Sequence, residues 1–203
     1  MVSLLLGFIA FILAYQEEKN DNSSMLRLKK ASINDLPLIM KLFRRVKMSL
    51  EAEGLTFYSG DYPNETDFRD DIEKGTLYIG KQNGMIVAMA SVSFSIIDEF
   101  YAKSHDEAKV LSLLALTGAK DGEDALIIHR LMVDPIYQRH GLGKEMLQYL
   151  ESLYPHRLYL LITYKDNTPA VPFYLHNGFT YAGDITPEYG IVPPMSFPLF
   201  FKR

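Results

Sequence analysis

The chain has 203 residues, 48% of them hydrophobic, enough for one domain with a substantial core. A net charge of −4 and a pI near 5.7 argue against a general nucleic-acid binder, which is usually basic. Without cysteine there is no disulfide framework, thiolate nucleophile or cysteine metal site, and the five scattered histidines include no pair at metal-ligand spacing, so no metal centre is expected.

Residues 3–15 form an uncharged apolar run, followed by a polar segment over 16–24. The run is shorter than the roughly 20 residues a bilayer span needs, and it lacks the basic n-region and clear small-residue cleavage site of a signal peptide. Three readings stay open for residues 1–24: a dispensable extension, a packed or partner-binding helix, and a membrane anchor. The first is the working expectation, with a single domain over 25–203 opening at Met25 and no membrane partner.

Residues 26–31 read as a first strand, and Ser32 or Asn34 can cap a helix from Asp35 to about Glu53. Leu36, Ile39, Met40, Phe43, Val46 and Leu50 give that helix an apolar face, leaving Arg44, Arg45 and Lys47 for its solvated side. Thr66 is placed as the cap of a short helix through Glu73, stopped by Gly75. Residues 76–81 and 85–94 are strands joined at Asn83-Gly84, a strong hairpin signal. The segment over 97–124 is longer than a tight turn needs, and its centre, 106–116, has helical character. A strand at 157–163, a helix over 168–177 with Pro169 in its first turn, and closing strands near 180–182 and 195–201 complete the series.

The most informative stretch lies between these elements. Residues 127–133 form an apolar, β-branched strand interrupted only by His129 and Arg130, and Asp134-Pro135 ends it. Helical spacing begins at Leu142, with Met146, Leu147 and Leu150 on the same face. The N-terminus of a helix at such a junction offers free backbone N–H groups and the positive end of its dipole to an anion. Gly141 and Gly143 have no side chain to keep a phosphate away from the backbone, and Arg139, His140 and Lys144 add positive charge. The pattern points to a pyrophosphate. It fits neither the Walker A loop nor the GxGxxG fingerprint, and the plain alternative is a strand-to-helix turn that uses glycine for tightness.

A second segment decides between these. Gln138, Gly141 and Gly143 fit the form Gln/Arg-x-x-Gly-x-Gly/Ala, and downstream Asn167, Ala170, Tyr174, Gly178 and Phe179 fit Asn-x-x-Ala-x-x-x-Tyr-x-x-x-Gly-Phe. In both motifs, in this order, the sequence resembles the GCN5-related N-acetyltransferase (GNAT) family. The resemblance is sharpest over residues 125–183 and looser over the rest from Met25.

The fold this resemblance implies is α/β (α+β): a mixed, mostly antiparallel seven-stranded sheet with helices on both faces and a splay between two central parallel strands. It implies acetyl-CoA as cosubstrate, entering the splay with its pantetheine arm paired to backbone of the first of those strands. On that reading Leu131, Met132 and Val133 give main-chain groups to the arm. Gln138, Arg139, His140, Gly141, Leu142, Gly143 and Lys144 hold the pyrophosphate, and Asn167 hydrogen-bonds the arm. The implied reaction is direct acetyl transfer to an amine. Tyr174 then becomes the candidate general acid at the sulfur, against the alternative of a tyrosine that only packs beside Phe173 and Phe179. His129 is the candidate base, against a buried histidine satisfied by a neighbour; two-residue alternation sets it on one face with Ile127, Leu131 and Val133. Arg130 is expected on the opposite face, paired with a carboxylate.

The acceptor site is expected from the more variable parts. The aromatic, turn-rich segment over 57–63 suits a loop closing over a ligand, with Tyr58 and Tyr62 as candidate contacts. Tyr101, in the segment over 97–124, is a third, and Asp61, Asp98 and Glu99 offer charge to a cationic amine. The expectation is a cytoplasmic N-acetyltransferase, monomer or homodimer, that moves an acetyl group from acetyl-CoA to a primary amine of a small molecule or peptide. The alternative is a non-catalytic acyl-CoA-binding or sensing module of the same fold.

Overall fold

The computed structural model describes residues 26–56, 58, 60–94, 107–119, 125–185 and 197–203. The expectation for residues 1–24 falls outside them. Among the described residues seven strands occur, β1 (Arg27–Lys30), β2 (Leu77–Gln82), β3 (Met85–Ser93), β4 (Ala125–Val133), β5 (Leu158–Ile162), β6 (Thr180–Ile185) and β7 (Phe197–Lys202). They form one sheet in the order β1-β2-β3-β4-β5-β7-β6. Every neighbouring pair is antiparallel except β4 with β5, so the sheet is mixed as expected. The five α-helices among the described residues are α1 (Leu36–Ala52), α2 (Glu65–Glu73), α3 (Glu107–Thr117), α4 (Leu142–Leu153) and α5 (Ala170–His176).

Local chemistry accounts for most of these boundaries. Asn83 and Gly84 have φ of 50° and 72°, the paired positive values of the tight hairpin turn whose twist matches its strands. At the start of α1 the backbone amide and hydroxyl of Ser32 both donate to Asp35 Oδ2, at 2.9 and 2.8 Å. Lys29 and Lys81 reach the same carboxylate at 3.1 and 3.0 Å, fastening α1 to β1 and β2. Burial opposes ionisation of Asp35, but the Ser32 amide and Lys81 outweigh it and hold its pKa well below the usual carboxylate range. The cap of α2 is Asn64 rather than Thr66. Its side chain accepts from the Thr66 amide at 2.8 Å, while Asp67 accepts from the Asn64 amide at 2.7 Å, a reciprocal box that Thr66 cannot form.

The core lies on both faces of the sheet. On one face, Met146, Leu147 and Leu150 of α4 are buried against Ala88, Ala90, Leu126, Ile128 and Leu161, and Leu142 at the head of the same stripe is buried too. Burying each such side chain stabilises the fold by about 1.5–3 kcal/mol. The other face carries two separate clusters. Ile39, Leu42, Phe43 and Val46 of α1 and Phe68 and Ile72 of α2 cover β2, β3 and the end of β4. Leu114 of α3 covers Ile127, Leu160 and Leu199. His129 and Arg130 follow Ile127 in sequence and precede Met132, so they stand on β4 where one cluster gives way to the other.

Candidate active site

The parallel pair β4–β5 is short. Its register runs only from Ala125↔Leu158 to Ile127↔Leu160; beyond it β5 keeps its other neighbour, β7, to Ile162, and β4 keeps only β3, to Val133. Pairing therefore stops where the expected splay begins. The Asp134 amide donates to Val87 O at 2.8 Å, which makes that facing pair the hydrogen-bonded one. The next pair, Ala88↔Val133, is then non-hydrogen-bonded, and the Val133 N–H and C=O point away from β3 into the opening. Met132, in register with Met89, turns its backbone to β3, so the main-chain groups available at this edge belong to Val133 and, by alternation, Leu131.

The loop that follows is built on backbone. Asp134 caps a 3-10 turn over Pro135–Tyr137, accepting from the Ile136 amide at 3.3 Å. Arg139 at φ 63° and Gly141 at φ 88° then swing the chain into α4. The first backbone bond inside α4 runs from Glu145 N to Gly141 O at 3.0 Å, and Gly141 contributes no side-chain cap. The amides ahead of Glu145 thus have no acceptor within the helix, and the positive end of its dipole lies there. Arg139, His140 and Lys144 are exposed around this point. The Gln138 side chain folds back to donate from Nε2 to Val133 O at 3.2 Å, and His140 donates from Nδ1 to Gln138 O at 2.8 Å. Leu142 is buried and serves the core. The two glycines have different reasons. Gly141 has open space around it and is set by its positive φ. A Cβ at Gly143 would come within 3.0 Å of the Phe173 ring and 3.7 Å of Val133 Cγ2, so α5 closes on the start of α4 only because that side chain is missing.

Arg45 takes part in this end of the site, contrary to its expected place on a solvated face. Its Nε donates to Asp134 Oδ2 at 2.6 Å and its Nη2 to Ile86 O at 3.2 Å.

On β4 itself the alternation breaks. Met89 faces Met132 and Ser91 faces His129, so Ala90 stands against two residues, Arg130 and Leu131, in a β-bulge where Arg130 has φ 53°. The bulge overturns the expected face assignment. His129 shares its face with Ser91, whose hydroxyl donates to Asp71 Oδ2 at 2.6 Å, on the α2 side. Leu131 and Val133 pack with Leu126 and Ile128 on the other side. Arg130 is not opposite His129 but reaches the same α2 side. It pairs with Asp71 as expected of it, donates to the Tyr62 hydroxyl at 3.0 Å, and lies 5.0 Å from the Tyr62 ring centre and 5.8 Å from that of Phe68. Burial works against its charge, yet the Tyr62 hydroxyl and the Asp71 carboxylate more than offset this and push its pKa up.

Tyrosines from distant segments meet beside this network. Tyr58, packed edge-on against Phe43 with ring centres 5.5 Å apart, has its pKa raised first by burial and then by the nearby phenols of Tyr164, Tyr174 and Tyr62. Tyr174 is buried among Phe173, Phe179 and Phe200, at 5.2, 5.7 and 5.8 Å between ring centres, and burial pushes its phenol pKa up. It stays protonated through the neutral range. Tyr164 was not anticipated. Its position three residues before Asn167, in the turn after β5, is the signal that could have found it. Asn167 is half-buried there, with Nδ2 reaching Thr163 Oγ1 at 3.5 Å and its carbonyl accepting the Ala170 amide at 2.9 Å. Tyr101 lies outside the described residues. No helix among the described residues is long and apolar enough to cross a membrane.

A sequence model of the acetyltransferase (GNAT) family matches residues 46–179, well over half of the chain. The chain belongs to the GNAT family. No curated protein matches it. Solved GNAT-family structures do. An acetyltransferase of the family from Streptococcus agalactiae 2603 superposes with a TM-score of 0.68 at 19% identity, over 88% of this chain and 96% of that one. The ribosomal-protein-S18-alanine N-acetyltransferase of Escherichia coli gives 0.60 at 17% identity, over 88% and 93%. The PaiA N-acetyltransferase of Thermoplasma acidophilum, solved in complex with coenzyme A, gives 0.58 at 14%, over 88% and 99%. At these identities the likeness is one of fold, and the fold is that of the GNAT acetyltransferases.

Proposed function

We propose that this GNAT protein is an acetyl-CoA-dependent N-acetyltransferase that moves an acetyl group directly to a primary amine of a small molecule or peptide. The observation that carries the reading is the alignment of two open features. The β4 edge left bare beyond Ile127 runs straight to the amide-rich start of α4, so an extended amide-bearing arm and a pyrophosphate fit one continuous track. Acetyl-CoA bound there supplies an acetyl group already activated as a thioester.

The chain's own groups do the rest. The α4 amides, with Arg139, His140 and Lys144, neutralise the pyrophosphate, and Leu131 and Val133 orient the arm through their backbone. Asn167 closes the track from the β5–α5 turn. His129, on the α2 face beside the Asp71–Arg130 pair, takes the proton from the acceptor nitrogen. Tyr174, kept protonated by burial, gives its hydroxyl proton to the departing sulfur. Tyr58 and Tyr62 wall the acceptor and exclude water. Their convergence with Tyr164 and Tyr174 favours a small amine over a long basic peptide.

Calorimetric titration of the full chain with coenzyme A tests the first half of this reading, with saturable one-to-one binding expected. An acceptor screen that follows release of free thiol from acetyl-CoA tests the second. Tight coenzyme A binding with no turnover on any small amine or peptide would leave an acyl-CoA-binding module instead.

A further inference from the structure

The loop that meets the phosphates starts from Asp134, and every polar group of this residue is engaged. Its amide donates to Val87 O at 2.8 Å and its carbonyl accepts the Tyr137 amide at 2.8 Å. Oδ1 accepts the Ile136 amide at 3.3 Å, and Oδ2 accepts Arg45 Nε at 2.6 Å. The side chain is 1% exposed. A carboxylate this deeply buried keeps its charge only with a partner close by, and that partner comes from α1, far from the loop in sequence. The same guanidinium holds Ile86 O at 3.2 Å, so a single side chain ties α1, the start of β3 and the end of β4 together where the loop departs.

Beyond this anchor the loop is held by bonds to its own near neighbours, Gln138 Nε2 to Val133 O and His140 Nδ1 to Gln138 O. Residues 138–141 are exposed, and two left-handed residues within three positions, Arg139 and Gly141, set its path. Its direction is therefore inherited from Asp134 at one end and from the start of α4 at the other. Phosphate oxygens are recognised by amides whose hydrogen bonds weaken steeply with misalignment, so a small rotation at Asp134 is felt at the ligand.

We infer that Arg45 is a positioning residue for the cofactor loop: through Asp134 it aims the loop's amides at the pyrophosphate without touching the ligand. The inference rests on the acetyl-CoA reading above and adds to it a residue outside both motifs. Without Arg45 the buried carboxylate has lost its cationic partner, turns toward water, releases the Ile136 amide, and lets the Pro135–Tyr137 turn drift.

The test is coenzyme A titration of the full chain, at a temperature where melting curves show every variant folded. Arg45→Met is expected to weaken binding about tenfold, as loss of a charged hydrogen bond would. Asp134→Asn should do the same, and the double variant should lose no more than either single one, because both remove one linkage. Arg45→Lys, which keeps the charge but not the two-donor geometry, should recover part of the loss. Lys202→Met supplies the comparison. It breaks a 2.5 Å ion pair to Glu151, near the other end of α4, and should lower the melting temperature while leaving coenzyme A affinity alone. Unchanged affinity in Arg45→Met with a lowered melting temperature, or additive losses in the double variant, would overturn the inference and leave a purely structural pair. Failure of the unaltered chain to bind coenzyme A would instead overturn the enzyme reading, and this inference with it.

Discussion

β4 serves both halves of the candidate site, and the halves are built from different materials. Toward its C-terminal end the site is backbone: the Val133 carbonyl, the first amides of α4, a left-handed Gly141, and a Gly143 that lets Phe173 come close. At His129 and Arg130 it is side chains: a guanidinium buried against Asp71, a serine hydroxyl on the same carboxylate, and four phenols from three separate segments. A site made of backbone is local, since its parts are consecutive, and it tolerates many sequences around the glycines. A site made of side chains is assembled from positions tens of residues apart, and each can change while the fold persists. One half suits a ligand common to a whole family, and the other suits a ligand that differs between members.

The contrast can be broken experimentally. The largest effect is expected from Tyr174→Phe, which removes a hydroxyl and keeps the ring among Phe173, Phe179 and Phe200. Turnover should fall by roughly 10²–10⁴-fold, the range of general acid–base catalysis, while coenzyme A affinity holds. Single-turnover rates measured alongside calorimetry separate the two, and an undiminished chemical step would remove this hydroxyl from the mechanism. Next comes Asp71→Asn, which leaves Arg130 buried with Asp67, 3.8 Å away, as its one charged partner among the described residues. Urea denaturation should register about 3 kcal/mol of lost stability. Coenzyme A affinity of the folded fraction should not move, and a parallel loss there would mean that the two halves are not separable. The smallest effect is expected from Gly141→Ala. An added methyl meets no atom within 4 Å, so the cost is the left-handed backbone alone, about 1–2 kcal/mol. Because the exposed loop can relax this strain until a ligand fixes it, it should appear as several-fold weaker coenzyme A binding, with a melting temperature lowered by at most a few degrees. Equal loss of stability and no loss of binding would place that strain elsewhere.

The same division explains what could be read in the sequence. The α4 stripe of Leu142, Met146, Leu147 and Leu150 is buried residue for residue as its periodicity predicts, and Asn83-Gly84 makes the expected hairpin, because both signals act over a few neighbours. Thr66 lost the capping role to Asn64 over two positions, although Asp67, three residues after Asn64, was visible as its reciprocal partner. Arg45 was misplaced because its partner lies 89 residues away, and helical spacing reports only which face a residue occupies. The bulge at Arg130 was hidden for another reason. A positive φ on arginine has no composition marker, and a single inserted residue reverses every later alternation, which separated His129 from Leu131 and Val133. Tyr58, Tyr62 and Tyr174 could be nominated one at a time from their segments, but only the fold brings Tyr164 beside them.

The early parting of β4 and β5 has a consequence for handling the protein. A strand with one side unpaired is a template for another strand, and here the bare length lies in the middle of the sheet, where shortening or capping it with charge would spoil the track. On the acetyl-CoA reading proposed above, the pantetheine arm covers this edge and with it the template for self-association. Concentrated samples should scatter less light and melt higher with coenzyme A present, by the mass-action gain of a ligand that binds only the folded state.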